Sequence, residues 1–338
     1  MIGHPTQEDI ARLAGVSRTT VSYVLSGRQD KHVRISQATR SRVEAIAAQL
    51  GYQPNAIARS LRLQRTQTLA LVIPDIANPF YPALTRGFQD GVAAEQYQTF
   101  VINTDNIAAQ EARALSSILH QRVDGAVLVA FHLTAEHIDR LVQAGIAVVA
   151  LGSWIHHPAV DRLFSDDRGG AYKAVRYLVE RGHRRIAHIA GPLDTPPARS
   201  RYEGYRQALM DSGLPVDESL ICEGDFTRGS GRACLRRLMA LPDPPTALFA
   251  ANDIMAIDAM LEAQSMGLRI PDDLAVIGLD DIPEASIIRP ALTTIPQHPY
   301  QMGRQAAEML LDRLRGPRDG LPARCEIIEL DLVVRESA

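Results

Sequence analysis

The sequence predicts an α/β protein: a small helical unit at the N-terminus, then two tandem lobes, each built on a doubly wound parallel sheet. Three observations predict it. Residues 6–62 carry short amphipathic helix patterns punctuated by capping residues and glycines, with no strand-like run. From Leu69 onward, continuous apolar runs of strand length alternate with stretches of helical periodicity, the signature of βαβ units whose sheet is buried on both faces. Charge divides at the same place. Up to residue 65 there are ten Lys and Arg against four Asp and Glu, a balance of +6, so a chain whose net charge is −3 carries −9 in the remainder. A basic end on an acidic body suits a protein that neutralises phosphates at one end only.

The elements follow in order. Thr6-Gln-Glu-Asp9 sets a hydroxyl three residues before a carboxylate, ahead of Ile10, Leu13 and Ala14, which predicts an N-cap and an amphipathic helix ending at Gly15. Ser17 caps a second helix from Arg18 to Leu25, whose outer face carries Arg18, Thr19, Ser22 and Tyr23. Helix, glycine turn and polar-faced second helix form the pattern of a helix-turn-helix, whose second helix enters the major groove of DNA. Ser36 opens a third helix with Val43, Ile46, Ala47 and Leu50 inward and Gly51 as its stop. Pro54 then starts a stretch of about two turns over 55–61, too short to be helical without a partner because nucleation costs more than so few hydrogen bonds return. The polar run 62–68 is a linker.

In the body, strands are expected at 69–73, 100–102, 125–129, 146–149, 186–189, 220–222, 247–249 and 275–279. Helices are expected from about 79, then near 108–121, 135–144, 171–181, 201–211, 230–241 and 254–266. Parallel sheets place ligand sites beyond the carboxyl ends of their strands, so two such lobes predict a cleft between them. The expected boundaries are a headpiece over 1–53, a hinge helix and linker over 54–68, and a two-lobed body over 69–338. The first lobe takes about 69–163 and 294–324, the second about 164–293 and 325–338.

Three motifs in register carry a resemblance: Asp9-Ile-Ala-Arg-Leu-Ala-Gly-Val-Ser17, Thr20-Val-Ser-Tyr-Val-Leu25, and Gly51-Tyr-Gln-Pro-Asn-Ala-Ile-Ala-Arg-Ser-Leu61. Together they look like the headpiece of the lactose-repressor (LacI/GalR) family, and the resemblance extends over essentially the whole chain. It implies a two-lobed, periplasmic-binding-protein-like effector domain and a homodimeric repressor acting on a near-palindromic operator. In each half-site it implies that Arg18, Thr19 and Tyr23 face base edges while Ser17, Thr20 and Ser22 mostly touch phosphates. Thr6, Ser36, Asn55 and Ala58 complete the DNA-contacting set. The resemblance also makes 55–61 a hinge helix that pairs with its dimer mate in the minor groove and wedges Leu61 into a base step; an aliphatic linker contact is the competing reading.

Ligand chemistry is expected at the strand ends. The resemblance places Phe80 and Tyr81, in Asp75-Ile-Ala-Asn-Pro-Phe-Tyr81, in an effector pocket, with core packing as the competing account of Tyr81. It makes Arg201 the ligand-clamping arginine, with Arg199 as the alternative in register; a guanidinium holds two acceptors in fixed geometry. Asp166 and Phe226 match further pocket positions. Asn252 and Asp280 stand just beyond apolar strands, where helix capping competes with binding, and Trp154 follows another strand end. Thr195 and Pro197 replace polar contacts of purine-responsive members, which leaves a small polar ligand of the carbohydrate kind ahead.

Other classes fare worse. No run approaches the roughly 20 apolar residues that span a membrane, and the N-terminus lacks the order of a signal peptide, so the cytosol is the expected compartment. Three cysteines, Cys222, Cys234 and Cys325, are odd in number and show no metal-ligand spacing, so buried or inert thiols are expected in place of a disulfide or zinc site. No phosphate loop, nucleophile elbow or zinc helix motif is present; His183 in a Gly-His turn reads as structural, and neither catalysis nor a cofactor is expected. A solute-binding protein of a transporter shares such a body but calls for an export signal and no basic headpiece. A regulator governed by a partner protein would keep the headpiece without a tight small ligand.

Overall fold

The computed structural model describes residues 5–25, 35–52, 65–316 and 322–338 of the chain. The expected hinge helix, with Asn55, Ala58 and Leu61, lies outside the described residues. Two compact units result, Met1–Thr66 and Gln67–Ala338.

The first unit contains α1 (Gln7–Ala14), α2 (Arg18–Leu25) and α3 (Gln37–Gln49). A reciprocal capping box starts α1: the Asp9 backbone N–H donates to Thr6 Oγ1 at 3.3 Å, and the Thr6 N–H donates to Asp9 Oδ2 at 3.0 Å. Gly15 ends it at φ 64°, a left-handed cap that costs a Cβ-free residue little. Ser17 Oγ accepts the Thr20 N–H at 3.1 Å and Ser36 Oγ accepts the Thr39 N–H at 3.2 Å, so each following helix has its own cap. Ile10, Ala14, Val21, Val24, Val43 and Ala47 close the core.

The second unit holds two parallel sheets. The first has six strands in the order β10-β5-β4-β3-β1-β2 and the second four, in the order β7-β6-β8-β9. Strands β1 (Thr68–Ile73), β2 (Gln98–Asn103), β3 (Gly125–Leu128), β4 (Ala147–Leu151), β5 (Asp161–Ser165) and β10 (Cys325–Ile328) build the first sheet. Strands β6 (Ile186–Ala190), β7 (Ile221–Glu223), β8 (Ala247–Ala250) and β9 (Ala275–Ile277) build the second. Both reverse their winding beside the first strand of the lobe, and such a switch point opens a crevice at the strand ends.

Helices cover both faces of each sheet. In the first lobe α4 (Phe80–Val92) and α12 (Pro299–Arg315) pack on one face and α5 (Ala108–Gln121) and α6 (Ala135–Gln143) on the other. In the second, α7 (Asp167–Glu180) and α8 (Pro196–Asp211) oppose α9 (Ser230–Met239) and α10 (Asp253–Ser265); the short α11 (Pro283–Ile287) follows β9. Helices α4 and α12 cross backbone to backbone. A Cβ on Gly87 would stand 2.0 Å from the Tyr300 carbonyl oxygen, and one on Gly303 would stand 2.1 Å from that of Leu84.

Three expectations need correction. The sequence pattern assigns the segment from Cys325 to the second lobe, yet β10 pairs with β5 in the first sheet. The reason is a charge clamp: buried Asp161, opening β5, accepts from Arg313 of α12 at 2.6 Å and from Arg324, just before β10, at 2.7 Å through its N–H and 2.9 Å through its guanidinium. The chain crosses only afterwards, where Thr294 and Val333 exchange backbone hydrogen bonds of 3.1 and 2.8 Å. Second, α8 begins at Pro196, so Arg201 lies one turn inside the helix instead of at its start. Third, Cys222 and Cys234, expected as separate thiols, form a disulfide with Cα atoms 5.6 Å apart, because α9 packs back on β7; Cys325 is a free, exposed thiol.

Candidate functional site

A cavity of about 330 Å³ opens at the strand ends of the second unit, walled by residues of both lobes. From the first lobe come Asp75, Phe80 and Tyr81 after β1, Phe131 after β3 and Trp154 after β4; from the second come Asp167, Arg201, Phe226, Asn252 and Asp280. Gln297, on the returning crossover, lines it too.

Arg201 is the organising group. Its Nε and one terminal nitrogen both stand 2.8 Å from Asp167 Oδ1, and its other terminal nitrogen donates to the Ala251 carbonyl at 2.6 Å. Phe226 covers the guanidinium, its ring centroid 5.7 Å from the central carbon. That ring also lies on Gly191, where a Cβ would stand 2.1 Å from it, and the Phe226 backbone takes φ 65°. Asn252 fixes the loop: its side-chain N–H donates to the Phe226 carbonyl at 3.0 Å while its Oδ1 caps α10 by accepting the Met255 N–H at 3.0 Å. Capping and positioning are one geometry here.

Asp280 sits at φ 130°, a region costly for residues other than glycine, and is held there by its N–H on the Ile295 carbonyl at 2.9 Å and by Gln297 Nε2 on its Oδ1 at 2.7 Å. Burial raises its carboxyl above the usual range, against the pull of Arg201. Burial likewise raises Asp253 behind it, with the Asp280 carboxyl adding to the shift; Asp253 accepts from the Thr294 hydroxyl at 2.5 Å and the Ile282 N–H at 3.0 Å. Burial also raises the Tyr81 phenol.

The first-lobe aromatic corner is braced. Buried Glu111 accepts the Phe131 and His132 N–H groups at 2.9 and 2.8 Å, and Trp154 Nε1 donates to the Ala130 carbonyl at 2.8 Å. The Trp154 ring lies over Gly152, 5.3 Å from the Phe131 ring at a tilt of 58°. These groups are therefore set before any ligand arrives.

Of the residues expected at the pocket, Phe80, Tyr81, Trp154, Arg201, Phe226, Asn252 and Asp280 line this cavity. Asp166 does not. Its Oδ1 accepts the Gly169 N–H at 2.9 Å as the cap of α7, which turns the next residue, Asp167, onto Arg201. Arg199 points to the surface and donates to the Leu193 carbonyl at 3.3 Å, which settles the register in favour of Arg201 as the cavity-lining residue. Thr195 is buried with its hydroxyl on the Pro192 carbonyl at 2.7 Å, whereas Pro197 lines the wall. Sequence reasoning missed Asp167, Phe131 and Gln297. Phe131 had a signal, since it follows a strand end; Gln297 had none. His183 bonds the Thr246 hydroxyl at 3.0 Å, away from the cavity, as a structural turn residue does.

In the first unit, the capping Ser17 and, on α2, Arg18 and Thr19 are exposed, while Thr20, Ser22 and Tyr23 are half-buried. The Thr6 and Ser36 side chains are engaged in their caps.

Residues 6–55 match the model of bacterial regulatory proteins of the lacI family, and residues 175–338 match that of the periplasmic binding protein-like domain. The transcriptional repressor CytR of Escherichia coli (strain K12) is 34% identical over 332 residues, 98% of this chain and 96% of CytR. Among solved structures, the complex of the transcriptional regulator CelR with cellobiose is 36% identical with a TM-score of 0.73, covering 99% of this chain and 100% of that one. The lac repressor dimer bound to operator and the anti-inducer ONPF is 26% identical with a TM-score of 0.86, covering 99% of each chain.

Proposed function

The chain belongs to the lacI family of bacterial regulatory proteins, and from that premise we propose that it is a homodimeric repressor whose affinity for a near-palindromic operator is set by a small polar ligand, a sugar or sugar derivative, in the cavity between its lobes. The observation that carries this reading is the braced set of Arg201, Asp167, Asp280 and Asn252 among aromatic rings, in the same chain as a helix-turn-helix unit. Aromatic faces suit the apolar face of a sugar ring, and fixed carboxylates and amides suit its hydroxyls. Cellobiose in the related CelR complex supports the ligand class.

Dimerisation is supported by unpartnered apolar side chains on both lobes. Ile76, Phe100, Val101 and Ile107 are exposed around the β2 edge, and Leu261, Met266 and Ile287 are exposed on the second lobe. A two-fold dimer presents two α2 helices to two half-sites, which is the reason for a near-palindromic operator. Arg18, Thr19 and Tyr23 are then the base-facing residues, and Leu61 the minor-groove wedge. The site of action is the cytosol, where the operator lies. A gel shift on the gene's own upstream region, with and without a sugar panel, tests the function: a retarded band altered by one sugar is expected, and no retardation at low salt would end the proposal.

A further inference from the structure

We propose that the ligand of this cavity is uncharged, so that phosphorylated and carboxylated forms of the same ring are rejected. The proposal rests on reading the cavity as the effector site. Among the described lining residues Arg201 is the only arginine or lysine, against the carboxylates Asp75, Asp105, Asp167, Asp225 and Asp280. Asp105 and Asp225 are exposed at the rim, where water and salt screen them. The deep groups decide.

Arg201 already has its counter-ion. It is 6% exposed, two of its nitrogens share Asp167 Oδ1 at 2.8 Å, and the third faces the Ala251 carbonyl at 2.6 Å. A phosphate or carboxylate seeking the guanidinium would have to displace Asp167, stranding that carboxylate in a buried place beside Asp280. The polar atoms left wanting are neutral: Ser165 Oγ and Asn106 Oδ1 are buried on residues that line the cavity, and neither has a hydrogen-bond partner. A hydroxyl and an amide oxygen call for hydroxyl groups, and carboxylates accept from hydroxyls equally well. Asp167 is balanced by Arg201, so Asp280 supplies the repulsion: once it is ionised, one added negative charge about 6 Å from its carboxylate, at an effective dielectric near 20, weakens binding roughly 100-fold.

Trp154 is the only tryptophan in the chain and lies in the cavity wall, so its fluorescence reads the field there whatever the ligand. The test is collisional quenching of the full-length protein at constant ionic strength by iodide, caesium and acrylamide, each scaled to free tryptophan amide. Titrations at pH 8, where Asp280 is ionised, with glucose against glucose 6-phosphate and glucose against glucuronate, which keeps the ring, accompany it. Acrylamide and caesium are expected to quench several-fold better than iodide, and the neutral member of any pair that binds should bind about 100-fold tighter than its anion. Iodide quenching equal to that of caesium, or an anion binding at least as well as its neutral partner, overturns the proposal. Uniformly weak quenching would take Trp154 out of the cavity wall and the proposal with it. If no sugar alters the signal, the carbohydrate reading fails, while the quenching comparison still decides the charge.

Discussion

Arg201 and Asp167 form a buried ion pair at the junction of the two lobes, with two guanidinium nitrogens on a single carboxylate oxygen at 2.8 Å. Removing one partner strands the other. Arg201→Ala should lower stability by about 3–5 kcal/mol, read from urea melts, and abolish ligand-dependent change in Trp154 fluorescence. Arg201→Lys keeps the charge but not the planar fork, so it should fold better than the alanine variant and still lose the ligand response. A lysine variant with full ligand affinity would show that the fork is dispensable.

The buried carboxyls of Asp253 and Asp280 make stability depend on pH. Both are raised in the folded protein, so their contribution is complete below the unfolded carboxylate value of about 4 and is lost as pH rises through their folded values. The melting temperature should therefore fall between pH 5 and pH 8. Asp253→Asn, which removes one of the two like charges, should flatten that slope, and an unchanged slope would assign the pH dependence to other groups.

Where α4 and α12 cross, there is no room for a methyl group. Gly87→Ala would bring its Cβ to 2.0 Å from the Tyr300 carbonyl oxygen, and backbone cannot step aside as a flexible side chain does. A loss of about 1–3 kcal/mol is expected in denaturant melts. Gly182→Ala meets nothing within 4 Å but sits at φ 96°, so it separates the effect of crowding from that of backbone strain.

On the DNA side, Arg18 is exposed near the start of α2. Arg18→Ala should relax base preference as well as weaken operator binding, because an arginine on a guanine edge supplies roughly 1–3 kcal/mol of discrimination. Footprints on operator variants check it: weaker binding with unchanged preference would make Arg18 a phosphate contact.

Much of the fold was legible because central parallel strands are buried on both faces and therefore read as unbroken apolar runs, as 69–73 and 247–250 do. Strand β5, Asp-Arg-Leu-Phe-Ser, escaped that rule because its buried Asp161 is tolerated only through Arg313 and Arg324, partners more than 150 residues away. The same long-range pairing hid the true place of β10. At the site, strand ends marked most of the cavity, but Asp166 and Asp167 are adjacent carboxylates, and only the cap of α7 decides which one turns inward. Gln297 reaches Asp280 across a crossover that no local pattern announces. The disulfide was invisible for a like reason: a separation of 12 residues carries no pairing signal until α9 folds back on β7.

The central claim is that ligand in the cavity and DNA on the headpiece are coupled, and anisotropy titration of labelled operator with the full-length protein tests it most directly. A ligand that saturates the Trp154 signal should change operator affinity by about 5–150-fold. Arg201→Lys should keep operator binding but lose the change, and Leu61→Ala should weaken operator binding itself. Operator affinity unmoved by a saturating ligand, in a protein that binds both, would contradict the account.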